Sequence, residues 1–111
     1  MTAINQNFSM FAGDSKNLIV TVTKDDGSFV DLNGTTVKWG LRKKENSTIN
    51  EVSKTTDDGI TLLGDEITIK LDPTDTLNLL GIYFQECELT DQLGNVSTIF
   101  TGGVKINRSV V

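Results

Sequence analysis

Short runs in which apolar and polar residues alternate dominate the chain. A period of two places successive side chains on opposite faces of a β-strand. The clearest run spans residues 36–42, where Val37, Trp39 and Leu41 share one face and basic side chains occupy the other. The pattern predicts strands over residues 8–11, 18–23, 36–42, 51–56, 60–63, 66–71, 82–90 and 96–107.

Glycine, asparagine and aspartate separate these runs and supply turn chemistry, because they tolerate backbone conformations that other residues avoid. Seven or more short strands with regularly spaced turns indicate a β-sandwich or barrel. One helical signal interrupts the pattern at residues 72–80, where Asp72 precedes Pro73 at the first helical position and Gly81 follows. We therefore expect an all-β, antiparallel sandwich of about seven to nine strands with one short helical turn, whose leucines (Leu77, Leu79 and Leu80) pack against the sandwich end.

The length of 111 residues fits one domain with one core. We assign residues 8–111 to this domain and residues 1–7 to a flexible N-terminal arm. No apolar run approaches the roughly 20 residues that span a bilayer, and the N-terminus lacks a signal peptide pattern, so we expect cytoplasmic synthesis and no membrane partner. The net charge of −5 argues against nucleic acid as a partner, since phosphate binding needs a cationic surface.

The composition removes most catalytic chemistry. The chain has no histidine and a single cysteine, Cys87. Histidine-based catalytic triads are therefore impossible, and a tetrahedral zinc site built from cysteine and histidine lacks enough ligands. We expect no catalytic residue, no metal and no cofactor. One hydrolase alternative rests on Glu86 and Glu88, which lie two apart on one strand and share a face, roughly 6.5–7 Å apart. An alternating acidic face is ordinarily a solvated strand surface, and that is the interpretation we favour.

A candidate contact surface emerges from the last two long strands. The face of residues 82–89 that carries the glutamates also carries Ile82 and Phe84, which would then be exposed. On the last strand Val96 and Phe100 share the inward face, which leaves Ile99 pointing outward. Together Ile82, Phe84 and Ile99 would form one apolar patch, and contiguous exposed apolar surface marks a contact site. A bulge at Gly102-Gly103, or cover from the helical segment, is the alternative that would remove the patch.

Two core positions resemble those of immunoglobulin-like domains. Trp39 lies in the middle of the third main strand, and Tyr83 begins the penultimate one, where such domains carry a core tryptophan and a corner tyrosine. We take both as core anchors. Cys87 lies four residues after Tyr83 rather than two, and Val20 occupies the partner strand, so the usual inter-sheet disulfide is absent.

A second resemblance covers nearly the whole chain and rests on turn and core segments in a fixed order. The segments are Gly13-Asp14-Ser15, residues 30–39, Asp57-Asp58-Gly59-Ile60, residues 71–76, Gly81-Ile82-Tyr83 and residues 88–95. This order resembles the immunoglobulin-like structural module of tailed-bacteriophage virion proteins, including the N-terminal domain of baseplate upper proteins. The resemblance implies a non-enzymatic role in the phage particle, as a head decoration, collar or tail module. It also implies other virion proteins (capsid, collar or tail) or further copies of the chain as partners.

Two other modes of contact stay open. Loops around Asn33 and Asn46 could recognise a glycan or protein on the host surface. The open edges of the outer strands also invite a strand from a neighbouring chain, which the arm at residues 1–7 or the apolar end at residues 109–111 could supply.

Overall fold

Eight β-strands and a single turn of helix make up the described part of the chain, residues 7–109 of a computed structural model. This content confirms the predicted all-β class, the strand count and the short helix. The predicted arm falls, apart from Asn7, on residues 1–6, which lie outside the described residues, as do residues 110 and 111. The elements in chain order are β1 (Phe8–Phe11), β2 (Lys16–Thr21), β3 (Thr36–Arg42), β4 (Val52–Thr56), β5 (Gly59–Leu63), β6 (Glu66–Leu71), α1 (Pro73–Thr76), β7 (Gly81–Thr90) and β8 (Val96–Asn107).

Hydrogen bonds join all eight strands in the order β1-β8-β7-β3-β4-β5-β6-β2. Most neighbours are antiparallel, as expected, but β1 pairs with β8 in parallel and β4 pairs with β5 in parallel over two residue pairs. The expectation of a purely antiparallel arrangement is therefore wrong at two places. At β1, the first and last strands of the chain lie side by side at one edge of the sheet and run in the same direction.

The sheet curls so that its two ends approach each other. Lys16, on the last strand of the order, places its Nζ atom 5.6 Å from the ring centre of Phe8 on the first. The curl encloses the core between opposite parts of one hydrogen-bonded sheet. The eight strands form one continuous hydrogen-bonded sheet and not the two separate sheets of a sandwich. The sandwich therefore stays a prediction.

The core lies inside the curl and is built from the inward positions of the alternating runs. Trp39, the largest fully buried side chain, is 1% exposed and donates a hydrogen bond from its indole N–H to the Gln85 side-chain oxygen at 2.9 Å. A polar partner at this depth matters, since a buried indole N–H without an acceptor is costly. The buried apolar side chains around this pair include Val20, Val22, Leu32, Val37, Leu41, Ile60, Ile67, Ile69, Leu71, Cys87, Leu89, Phe100, Val104 and Ile106.

The corner before β7 is formed by α1 and the residues after it. Helix α1 ends at Thr76, earlier than the expected stop, and Gly81 instead opens β7 with a φ of 108°, which only glycine adopts without strain. The Tyr83 hydroxyl accepts a hydrogen bond from the Leu80 N–H at 3.2 Å and lies 3.4 Å from its carbonyl oxygen, the geometry of a tyrosine corner. The expectation that the leucines pack inward is wrong for Leu77 and Leu80, which are more than half exposed.

Candidate interaction surface

Strand β7 lies in the middle of the sheet and presents two different faces. Its odd-numbered positions from Tyr83 to Leu89 are buried, while Ile82, Phe84, Glu86 and Glu88 point outward. Ile82 is 70% exposed and Phe84 is half-buried. The structure therefore places these two apolar side chains on the outer face of the sheet, as the alternation predicts.

Ile99, the third member of the predicted patch, lies on the other side of the sheet. It is 2% exposed and belongs to the core, so its predicted outward orientation is wrong. The cause is a bulge: Cys87 pairs with Phe100 and Glu88 pairs with Thr98, which leaves Ile99 as an extra residue in β8. A bulge shifts the alternation by one position. For the same reason Val96, expected inside, is 58% exposed.

Beside Ile82 the outer face forms a shallow groove because one position carries no side chain. Gly103 pairs with Phe84, and Lys105 pairs with Ile82 on one side and with Ser9 of β1 on the other. The groove has a volume of about 590 Å³. Among residues 7–109, the atom that a Cβ on Gly103 would meet is the Asn7 side-chain oxygen, at 3.9 Å. We call the surface formed by Ser9, Ile82, Phe84, Gly103 and Lys105 the Ile82 face.

Sequence reasoning found two members of the Ile82 face and missed the rest. A bulge at Gly102-Gly103 is the alternative that would remove the predicted patch, but both glycines pair regularly, with Gln85 and Phe84. The absence of a side chain at Gly103 shapes the groove, and the pairing of β1 with β8 brings Ser9 to its rim. The second contribution could not be predicted from alternation, because it depends on which strand lies at the edge.

The outer face changes from apolar to charged beyond Phe84. The Arg42 guanidinium donates to the Glu86 carboxylate at 2.5 Å and to the Ser47 carbonyl oxygen at 3.3 Å. Lys38 lies opposite Glu88 in the strand register. Each glutamate of the hydrolase alternative thus faces a basic residue, and the two form part of a charge-balanced strip that borders a groove of about 400 Å³.

The loop asparagines proposed for glycan recognition do not share a site. Asn33 precedes β3 and its carbonyl oxygen accepts a hydrogen bond from the Gln92 side chain at 3.4 Å, whereas Asn46 follows the other end of β3. Both are exposed. A ligand that contacts both would have to span the seven-residue length of β3, roughly 20 Å.

The acidic turns hold their carboxylates in local hydrogen bonds. Asp91 accepts from the backbone N–H groups of Asn95 and Leu93, at 2.9 Å each, and these bonds lower the pKa of its carboxyl. The side-chain and backbone bonds from Ser28 lower the pKa of Asp26 in the same way. These carboxylates stabilise turns, which accounts for their position in the sequence.

Across residues 7–109, no group of three or more histidine, cysteine, aspartate or glutamate side chains is placed to hold a metal ion. Within the same range, no helix is both long and apolar enough to cross a membrane. Burial raises the pKa of the Cys87 thiol to about 12, so this group stays protonated at neutral pH.

Comparisons with known proteins show a structural likeness but no family. No protein-family model matches the chain, and no curated protein matches it. Among solved structures, the chain is similar to AggA, the major subunit of aggregative adherence fimbriae type I from Escherichia coli. The identity is 11%, the match covers 96% of this chain and 92% of that one, and the TM-score is 0.43. At this level of similarity, function has to be argued from the residues of the chain itself.

Proposed function

We propose that the protein is a non-enzymatic structural module that works through protein–protein contacts made by the Ile82 face. The observation that carries the proposal is the exposed Ile82 on a central strand, beside the half-buried Phe84 and a groove floored by Gly103. An apolar side chain next to a side-chain-free position offers a partner both a protrusion and a recess. Exposed apolar surface of this kind favours a contact site.

The setting we propose is the particle of a tailed bacteriophage, with capsid, collar or tail proteins or further copies of the chain as partners. Support comes from the order of turn and core segments that resembles phage immunoglobulin-like modules. The test is quantitative mass spectrometry of purified particles from the host that carries the gene. We expect the chain at a fixed copy number per particle, and its absence from washed particles would refute the virion setting.

The contact itself is tested by variants that alter the Ile82 face without touching the core. Ile82→Ser removes the exposed apolar side chain. Gly103→Thr fills the groove at a position where, among residues 7–109, a Cβ meets nothing closer than 3.9 Å. Both should reduce binding to particles by tenfold or more while the melting temperature stays within a few degrees. Leu63→Ser is the matched control, because Leu63 is 76% exposed on β5 and lies outside this face. Equal binding by all three variants would exclude the Ile82 face.

A second candidate function, recognition of a host-surface glycan or protein, is favoured by the polar groove beside Glu88. Its lining combines Lys38, Asn50 and Glu88, which together offer hydrogen-bond donors and acceptors to a polar ligand. Asn50 lies directly above Gly40, where a Cβ would come within 2.8 Å of its amide. A glycan array separates the candidates: binding that Asn50→Ala abolishes and Ile82→Ser preserves would support this one.

A further inference from the structure

Three connecting segments meet at one end of the sheet and form a negatively charged surface. The segments are residues 22–35, 64–66 and 91–95. Hydrogen bonds join them: the Leu32 N–H donates to the Gly64 carbonyl oxygen at 3.0 Å, and the Gln92 side chain donates to the Asn33 carbonyl oxygen at 3.4 Å. Together they contain six acidic residues and one lysine, so they carry the entire net charge of −5 of the chain. We call this surface the acidic end.

Phe29 is the aromatic residue of the acidic end, and its side chain is 61% exposed. Its backbone forms a β-bridge with Thr23, and its ring lies over Gly64, 3.8 Å from the position that a Cβ would take there. The acidic end therefore presents an aromatic protrusion surrounded by negative charge. Aromatic side chains bury a large apolar area when a partner covers them.

The Ile82 face has the complementary properties. It offers a recess, the groove at Gly103, and its charged member is Lys105, which is exposed and pairs with Ile82 in the strand register. Residues 43–45, two lysines and a glutamate, follow the residue that pairs with Phe84 and add one more positive charge. Apolar surface thus has a positive rim here and a negative rim at the acidic end. Opposite charges of this kind steer two surfaces together and suppress contacts between like surfaces.

We propose that the Ile82 face binds the acidic end of a second copy of this chain, with Phe29 of one copy in the Gly103 groove of the next. The contact rests on the proposed function, because it names the partner of the Ile82 face. A two-fold contact between two Ile82 faces would instead bring the Lys105 side chains of both copies together, which like-charge repulsion disfavours. Contact between unlike surfaces avoids this repulsion.

The two surfaces lie far apart on one molecule, so the contact leaves one of each kind free in every pair. Ile82 is near the start of β7, and the acidic end resumes directly after Thr90, the last residue of that strand. The eight steps between these residues span roughly 27 Å of extended chain. A bound pair can therefore add a third copy at either end. Head-to-tail contacts of this kind build open chains, or rings where the rotation closes.

Sedimentation velocity on the full-length chain tests the contact with two single variants. Ile82→Ser alters one surface and keeps the acidic end, whereas Phe29→Ser removes the protrusion and keeps the Ile82 face. The wild type should form species larger than a dimer as its concentration rises, and each variant alone should associate at least tenfold more weakly. An equimolar mixture of the two variants should form a heterodimer that grows no further, because one intact surface of each kind remains. Ile19→Ser is the matched control, since Ile19 is 62% exposed on β2, outside both surfaces, and should associate like the wild type.

The charge on the rims is tested separately. Lys105→Glu should weaken the association of the full-length chain by tenfold or more. Raising the salt from roughly 0.1 M to 1 M should weaken it as well, because the Debye length falls from about 10 Å to about 3 Å. Association that neither change affects would overturn the charge complementarity on which the choice of partner depends.

Three results would overturn the head-to-tail contact. They are a wild type that stays monomeric at every concentration, a mixture of the two variants that stays monomeric, and a dimer that Ile82→Ser abolishes but Phe29→Ser preserves. The proposed function would survive each of them if Ile82→Ser still reduced binding to particles, since the Ile82 face would then contact a different protein. Unchanged particle binding by Ile82→Ser would instead count against the proposed function itself.

Discussion

The buried thiol of Cys87 predicts how the stability of the protein changes at alkaline pH, in direction and in magnitude. Its side chain is 0% exposed, and burial raises its pKa from 9.0 to about 12. In the unfolded chain the thiol ionises near 9.0, whereas in the folded chain it keeps its proton until about 12. Between these values unfolding releases a proton. The contribution of the thiol to the free energy of unfolding is therefore fully present below pH 9 and is lost as the pH rises toward 12.

The size of the loss follows from the separation of the two pKa values. Each pH unit above 9 costs the folded state about 1.4 kcal/mol relative to the unfolded state. At about pH 11 the loss reaches about 3 kcal/mol. That is a large part of the roughly 5–15 kcal/mol that stabilises a typical domain.

Urea denaturation of the wild type and of Cys87→Val measures this loss. Valine is a good strand residue of similar size and has no proton to release. The wild type should lose about 3 kcal/mol more than the variant between pH 8 and about pH 11, because every other ionisable group is common to both proteins and its contribution cancels in the difference. Parallel pH profiles for the two proteins would refute the reasoning, since the thiol would then ionise equally in the folded and unfolded states.

Two further predictions test the core. Ile99→Ser should destabilise the protein by about 2–4 kcal/mol, because it removes a buried apolar side chain, while Val96→Ser should stay within about 0.5 kcal/mol. Thermal unfolding measures both, and equal effects would contradict the bulge. Trp39→Phe should cost about 2–4 kcal/mol, because it removes core volume and the hydrogen bond to Gln85. A neutral Trp39→Phe variant would mean that this bond contributes no net stability.

Alternation predicts a face well where a strand pairs regularly along its whole length. In β3 it places Val37, Trp39 and Leu41 inside, and all three are buried. The same reasoning places Ile82 and Phe84 on the outer face of β7. These assignments needed no knowledge of the partner strands, because a pleated strand separates its two faces by itself.

Prediction failed where the outcome depends on the neighbouring strand. The bulge in β8 is defined by its pairing with β7. Strict alternation carried across the bulge therefore assigned Val96 and Ile99 to the wrong faces of the sheet. The adjacent apolar pair Ile99-Phe100 was the available signal, since a regular strand buries only one of two neighbours. The parallel pairing of β1 and the groove at Gly103 depend on sheet order, which local patterns do not contain.

The bulge also changes which side chains β8 contributes to the core. With Ile99 and Phe100 both facing inward, the strand delivers two large side chains in succession at one level of the barrel-like curl. Deleting Ile99 would restore an unbroken ladder and would leave a hole the size of an isoleucine. The irregular hydrogen bonding of β8 is thus what allows Ile99 and Phe100 to fill the core together. A shorter, regular β8 would surround the buried Cys87 with different side chains.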